Sequence, residues 1–193
     1  MRSAGKLAVV GALVALAAAV AACGTEADGA PGAGVLAREA GSASPGRKIL
    51  SSALRGVPRP YTGAANAIRG VPGGGLPWVL SGGKATLTAD GALEVEVEGL
   101  VFDPADEAVI ARGLGGTNTV AQAKAIVSCL TVQDGAAATV NVSSGLVPFT
   151  TGAASAGGGN ATIQERLALP SPCLAPIVFV TSPGGAWFAV AGG

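Results

Sequence analysis

Hydrophobic and polar residues alternate strictly in two neighbouring stretches of the chain. In residues 84–89 every second side chain is apolar, and in residues 93–98 leucine and valine alternate with three glutamates. A period of two places one set of side chains in a core and the other set in water. The pattern therefore predicts two strands that belong to a sheet with one solvated face.

The turn between these two strands can be predicted from register. A two-residue loop at Asp90-Gly91 would pair Leu87 with Glu94 and place a carboxylate on the core face. A three-residue loop with Gly91 in the left-handed conformation pairs Leu87 with Leu93 instead. It also sets Lys84 opposite Glu96, so we expect the three-residue loop.

Further strand patterns follow, separated by turns rich in Gly, Pro and Asp. They cover residues 123–132, 138–142, 161–169, 176–181 and 186–190. No segment among them has a convincing helical period. About seven short strands of this kind predict an all-β fold, an antiparallel β-sandwich or barrel.

A change of composition at residue 72 suggests where this β domain begins. Six of the seven aromatic residues follow it, so we expect a domain over residues 72–193. Residues 23–71 are rich in Gly, Ala, Ser and Pro without a sustained period, which predicts a disordered, flexible linker. A short helix within residues 45–55, capped by Ser44, is an alternative for part of it.

The N-terminus has the pattern of an export signal. Arg2 and Lys6 precede an unbroken apolar run over residues 7–22, too short to span a bilayer comfortably and typical of a secretory signal peptide, expected over residues 1–22. The run ends in Val20-Ala21-Ala22-Cys23, which resembles the lipobox of bacterial lipoproteins. The resemblance implies that Cys23 becomes the first mature residue and carries at least two acyl chains, which anchor a protein firmly in a membrane. Ordinary cleavage after Ala21 is the alternative.

The number of cysteines agrees with lipidation. Three cysteines in an exported chain leave one thiol without a partner. If Cys23 carries lipid, Cys129 and Cys173 remain and are expected to form a disulfide. The sequence thus predicts a lipid-anchored protein on the extracytoplasmic face of the cell membrane.

The C-terminal part of the chain, from about residue 73, resembles a group of uncharacterised exported proteins from actinobacteria. The resemblance is carried by the runs 75–80, 127–130 and 172–176 and by Trp187-Phe188. It implies export and brings no known activity with it.

Charge and composition narrow the possible functions. Residues 72–193 carry nine acidic and four basic side chains, a net charge of −5, which argues against nucleic acid as a partner. The chain has no histidine, the usual general base and zinc ligand, so catalysis would have to use other groups. No cofactor is predicted.

Seven carboxylates between residues 90 and 107 form a candidate site. Asp103, Asp106 and Glu107 supply the oxygen ligands that Ca²⁺ prefers, although their spacing is not that of an EF-hand. Paired carboxylates in this region could also serve as the acid and base of a glycosidase. The alternative to both is a solvated strand face followed by an acidic loop.

Three further residues depart from the strand pattern. Glu165 interrupts an apolar face, which indicates either a buried functional acid or a β-bulge that turns it outward. Trp187 and Phe188 are neighbours on one strand and should point to opposite faces. An exposed member of this pair could contact a ligand by stacking, whereas packing in the core or under a loop is the alternative.

These observations leave three hypotheses for function. The first is a non-catalytic structural or binding module of the cell envelope, with an envelope protein or glycan as its partner. The second is a histidine-free hydrolase that uses carboxylates. The third is a lipoprotein that binds calcium or a small ligand.

Overall fold

Residues 46–192, which a computed structural model describes, form fourteen strands and two short helical turns. The strands are β1 (Lys48–Ala53), β2 (Arg55–Gly56), β3 (Trp78–Val79), β4 (Gly82–Thr88), β5 (Ala92–Glu98), β6 (Val101–Phe102), β7 (Thr117–Asn118), β8 (Gln122–Gln133), β9 (Ala136–Ser143), β10 (Val147–Pro148), β11 (Gly152–Ala153), β12 (Ala161–Arg166), β13 (Leu174–Thr181) and β14 (Trp187–Gly192). A four-residue helix, α1 (Glu107–Ile110), follows β6, and a 3₁₀ turn at Ala154–Ala156 precedes β12. The predicted all-β class is confirmed.

The first sheet has the strand order β1-β4-β5-β12, all antiparallel. Its β4–β5 hairpin has the predicted register, with Leu87 opposite Leu93 and Lys84 opposite Glu96. Gly91 adopts a φ of 87° in the three-residue loop between them. The predicted loop is therefore confirmed, and the leucines and valines of both strands lie on the buried face.

The second sheet has the order β10-β8-β13-β14-β2, with β9 paired to the distal part of β8. One row across the three central strands consists of small apolar side chains. In it Val127 of β8 lies opposite Val178 of β13, which lies opposite Ala191 of β14. Residues of both sheets belong to one hydrophobic core, as expected of a sandwich. Burial of this shared apolar surface is the main favourable contribution to stability.

All seven of the predicted strands are present. The observed elements are β4, β5, β8, β9, β12, β13 and β14, with bounds that differ from the prediction by a few residues. The other seven strands are either two residues long or lie in the segment that the sequence predicts to be a linker.

The predicted boundary at residue 72 is wrong, because residues from Lys48 onward belong to the domain. Strand β1 forms the edge of the first sheet beside β4, and β2 adds an edge to the second sheet beside β14. Leu54, Val57 and Val71 are buried in the core. The alternative of a helix within residues 45–55 is also wrong, since this stretch is extended.

Strand β1 meets the last described residue, Gly192, at one edge of the sandwich. The Ser52 hydroxyl donates a hydrogen bond to the carbonyl oxygen of Gly192 at 2.9 Å. The predicted signal peptide, Cys23 and the first half of the predicted linker lie outside the described residues. Among residues 46–192, no helix has the length and apolar character that crossing a bilayer requires.

Candidate functional site

The outer face of the first sheet is a polar surface built by the strand pattern. Because apolar residues of β4 and β5 point into the core, the alternate threonines, lysine and glutamates point outward. An open groove of about 410 Å³ crosses this face. Its polar lining is Lys48, Lys84, Thr86, Thr88, Glu94 and Glu96. We call this the polar groove.

Cross-strand register arranges these side chains in rows. Lys84 lies opposite Glu96, and Glu96 lies opposite Thr162. In the next row Gln164 donates its amide N–H to Glu94 at 3.3 Å. A second shallow depression, of about 620 Å³, continues from Glu96 towards Pro148. Together these rows offer both hydrogen-bond donors and acceptors to a polar ligand.

The acidic loop after β6 serves a structural role. Asp103 accepts a hydrogen bond from the backbone N–H of Ala105, and Asp106 caps α1 by accepting from the N–H groups of Ala108 and Val109. Arg59 also binds Asp106, with its Nε 2.7 Å from the Asp106 carboxylate. Within the part of the chain that the structure describes, no group of three or more acidic or cysteine side chains could hold a metal. The calcium site predicted at Asp103, Asp106 and Glu107 is therefore not formed.

Two aspartates have lowered pKa values. Hydrogen bonds from Thr88 and Arg166 lower the pKa of Asp90, which lies in the β4–β5 loop. The hydrogen bond and charge of Arg59, together with the backbone N–H groups of α1, lower the pKa of Asp106. Both carboxyl groups are ionised at neutral pH, which suits structural ion pairs and is the opposite of what a general acid needs.

Glu165 is neither buried nor turned outward by a bulge. It keeps an unshifted register opposite Leu93, and its side chain is exposed although Ile163 on the same edge strand is buried. Its carboxylate accepts a hydrogen bond of 2.8 Å from the backbone N–H of Gly145. Both interpretations of Glu165 from the sequence are wrong, and the residue links β12 to the chain that follows β9.

Trp187 and Phe188 are both buried, with exposures of 1% and 5%. Phe188 stacks on Trp78 with ring centroids 4.2 Å apart, and Trp78 packs on Phe102 at the same distance. Trp187 packs instead against Phe179. The two side chains pack against different aromatic partners, and Gly74 lies next to the Phe188 ring and covers it. The backbone N–H of Trp187 donates to the carbonyl oxygen of Pro72, which holds this part of the chain against β14. A ligand contact at either aromatic is therefore not supported.

The predicted disulfide is confirmed. Cys129, fully buried on β8, is bonded to Cys173 at the approach to β13, with the two Cα atoms 4.9 Å apart. It closes a loop of 44 residues. Cys23, the predicted lipidation site, lies outside the described residues.

Sequence reasoning missed the contribution of β1 to the polar groove. Lys48 lines the groove because β1 pairs with β4, setting Lys48 opposite Thr88. The available signal was weak: only Leu50 in this six-residue strand is buried, so no alternation is visible. Edge strands of this kind are held chiefly by backbone hydrogen bonds, which side-chain patterns do not reveal.

Comparison with protein families, with curated proteins and with solved structures found no match to this chain. Its function must therefore be inferred from its own residues.

Proposed function

We propose that this chain is an exported bacterial lipoprotein whose β domain, anchored through lipid on Cys23, acts as a non-catalytic binding module of the cell envelope. The polar groove is its binding surface. The ligand is a polar component of the envelope, glycan or protein.

The anchoring proposal is supported chiefly by which of the three cysteines are bonded to each other. A disulfide between Cys129 and Cys173 is typical of an oxidising compartment outside the cytoplasm. It accounts for two of the three cysteines, and the third is the one that follows the lipobox-like run over residues 20–22. Acylation of Cys23 would leave no thiol in the mature chain.

The test of anchoring is the state of the mature N-terminus. We expect mass spectrometry of the protein purified from an actinobacterial host to show a chain that begins at an acylated Cys23. Cys23→Ser should release the protein from the membrane fraction, while the double variant Cys129→Ala/Cys173→Ala should remain in it. An unmodified N-terminus at Ala22 would refute the proposal.

The binding proposal is supported by the composition of the polar groove. Strand pairing fixes the backbone positions of Lys84, Thr86 and Glu96, so the spacing of their side chains across the sheet is set before a ligand binds. The groove is open, and most of its lining groups are polar. These features suit a hydrogen-bonded ligand that spans several strands.

Binding can be tested with the immobilised mature protein and an envelope extract. We expect the protein to retain an envelope component. The double variant Lys84→Ala/Glu96→Ala should retain at least tenfold less of it. Glu107→Gln, which changes an exposed carboxylate outside the groove, is the matched control. Protease or glycan-degrading treatment of the extract distinguishes a protein ligand from a glycan. Equal retention by both variants would exclude the groove.

A carboxylate hydrolase is the second candidate, because Glu94 and Glu96 lie on one face of β5 within the groove. Residues two apart on a strand are separated by about 6.6 Å, close to the roughly 6.5–9.5 Å between the carboxyl groups of inverting glycosidases. Both glutamates are exposed, however, and lack the enclosed setting that excludes water from a reaction. Release of soluble sugar from envelope glycan, abolished by Glu94→Gln or Glu96→Gln and unaffected by Glu107→Gln, would establish this activity.

A further inference from the structure

Three apolar side chains form an exposed cluster near the distal end of the β8–β9 hairpin. Leu130, Val132 and Leu174 are 39%, 55% and 54% exposed. Leu130 and Val132 are two residues apart on β8 and therefore share a face, and Leu174 lies directly opposite Leu130 on β13. We call these three residues the apolar tip.

The apolar tip lies at the end of the sandwich where the chain enters the domain. Ser52 contacts Gly192, and Gly192 is level with Ile177 and Ser128 across the second sheet. Strand β2 continues the chain from β1 and pairs antiparallel to β14, and β14 runs parallel to β8 because both are antiparallel to β13. The chain from Ser52 back to Lys48 therefore points the same way as the chain from Ser128 to Val132. The segment that connects Cys23 to the domain thus joins it at the end that carries the apolar tip.

Basic groups surround this end. Arg47 and Lys48 are exposed where the chain enters. Arg69 donates hydrogen bonds to the carbonyl oxygens of Ser128 and Ala175, at 3.1 and 2.8 Å, which places its guanidinium next to the apolar tip.

Most acidic groups at this end are engaged by other partners. Among the described residues, ion pairs form only at Arg59–Asp106 and Arg166–Asp90, so Arg47, Lys48 and Arg69 have no carboxylate partner there. The acidic groups at this end are Asp134, in the turn of the hairpin itself, and three carboxylates with partners. Arg166 binds Asp90, Gln164 donates to Glu94 in the groove that Lys48 also lines, and the backbone N–H of Gly145 donates to Glu165.

We propose that the apolar tip is a membrane-contacting surface that inserts into the interface of an anionic bilayer and orients the anchored domain. This inference rests on the proposed lipid anchor at Cys23. Apolar side chains flanked by basic ones are the combination that binds the interfacial region of anionic membranes. The contact is too small to hold the protein on a membrane by itself, and the lipid supplies the attachment. The apolar tip then faces the bilayer, and the opposite end, with α1, faces away.

A tryptophan probe tests this orientation. Trp78 and Trp187 are buried and give a constant background, whereas Val132→Trp places a new indole on the apolar tip. Ile110→Trp is the matched control, because Ile110 is 58% exposed on α1. This helix follows the Glu98 end of β5, the end of the first sheet away from Lys48 and Thr88. The mature chain is attached through Cys23 to a maleimide lipid in vesicles of phosphatidylglycerol and phosphatidylcholine. Chemical attachment separates this test from natural acylation, which mass spectrometry addresses.

We expect the Val132→Trp emission to shift to shorter wavelength and to be quenched by brominated acyl chains, with the Ile110→Trp emission unaffected. The shift should weaken in vesicles of phosphatidylcholine alone and when Lys48→Gln and Arg69→Gln are added. Leu174→Trp provides a second probe if Val132→Trp does not fold. Equal quenching at both ends, or none at the apolar tip, would overturn the proposal. A concentration-dependent shift in solution without vesicles would also overturn it, by indicating pairing with a second copy of the chain.

Discussion

Gly91 and Leu167 are in direct backbone contact at the end of the first sheet. The N–H of Leu167 donates to the carbonyl oxygen of Gly91 at 2.8 Å, and a Cβ added at Gly91 would overlap the carbonyl oxygen of Leu167. This contact fastens the β4–β5 loop to the residue that follows β12. It gives the glycine a second role besides its positive φ.

Gly91→Ala should therefore destabilise the domain more than a substitution at a glycine that only adopts a positive φ. Gly135, in the β8–β9 turn, has a φ of 78° and open space around its Cα, so Gly135→Ala should cost about 1–2 kcal/mol of unfolding free energy. Gly91→Ala should cost roughly 1–3 kcal/mol more because backbone must move. Urea denaturation of both variants measures the difference, and equal midpoints would show that the contact with Leu167 is absent.

Truncation should show that the domain begins before residue 72. A chain that begins at Gly46 retains β1 and β2, whereas one that begins at Gly73 loses both edge strands and the buried side chains of Leu54 and Val57. We expect the longer chain to unfold cooperatively and the shorter one to lack a cooperative transition in circular dichroism. Cooperative folding of the shorter chain would contradict the assignment of β1 and β2 to the core.

Removal of the disulfide should lower stability substantially. In the chain-entropy description, a cross-link that closes 44 residues stabilises the folded state by about 4 kcal/mol. Cys129→Ala/Cys173→Ala should therefore reduce the free energy of unfolding by roughly 2–5 kcal/mol. Reductant should lower the urea midpoint of the unsubstituted protein and leave that of the double variant unchanged. A reductant-insensitive midpoint for both would mean that the bond does not form.

The ion pair at Asp90 should give the domain an acid-sensitive component of stability. Hydrogen bonds from Thr88 and Arg166 lower the pKa of Asp90 in the folded state, so the unfolded chain, with a pKa of about 3.9, binds the proton more readily. The stabilisation is fully present above about pH 4–5 and is lost as pH falls towards the folded-state pKa. As the pH is lowered through this range, the urea midpoint of Asp90→Asn should decrease less than that of the unsubstituted protein.

Asp134→Asn is the control for the Asp90 experiment, because Asp134 occupies the exposed turn of the β8–β9 hairpin. Its acid dependence should follow that of the unsubstituted protein. If Asp90→Asn shows the same dependence as well, the pairing with Arg166 does not contribute to stability.

The strands with one buried face were predictable from the sequence because their side chains carry the information. Leu87, Val95 and their neighbours alternate with polar residues, and register excluded the wrong loop at Asp90-Gly91 without any structure. The disulfide was predictable by counting, once Cys23 had been assigned to lipid. In each case a local pattern decided between few alternatives.

The remaining features depend on contacts between residues distant in the chain. Strand β1 is ordered by pairing with β4, and the exposed Glu165 binds the backbone N–H of Gly145, 20 residues earlier, and a local pattern encodes neither contact. Similarly, Asp106 was a reasonable calcium ligand until Arg59, 47 residues earlier, was found bound to it. The part of the polar groove on β4 and β5 was predictable from alternation. The contribution of Lys48 was not, because composition predicts a linker where β1 lies.

The hydrogen bond between Ser52 and Gly192 places the last residue of the domain beside its first strand, and this permits the order of its strands to be rearranged. A Gly/Ser bridge that spans the roughly 20 Å of extended chain from Ser52 back to Gly46 could join Gly192 to Gly46, with new termini opened at the exposed Asp134-Gly135 turn. Such a circular permutant would keep every strand pairing of the sandwich. It would move the point of attachment to the tip of the β8–β9 hairpin.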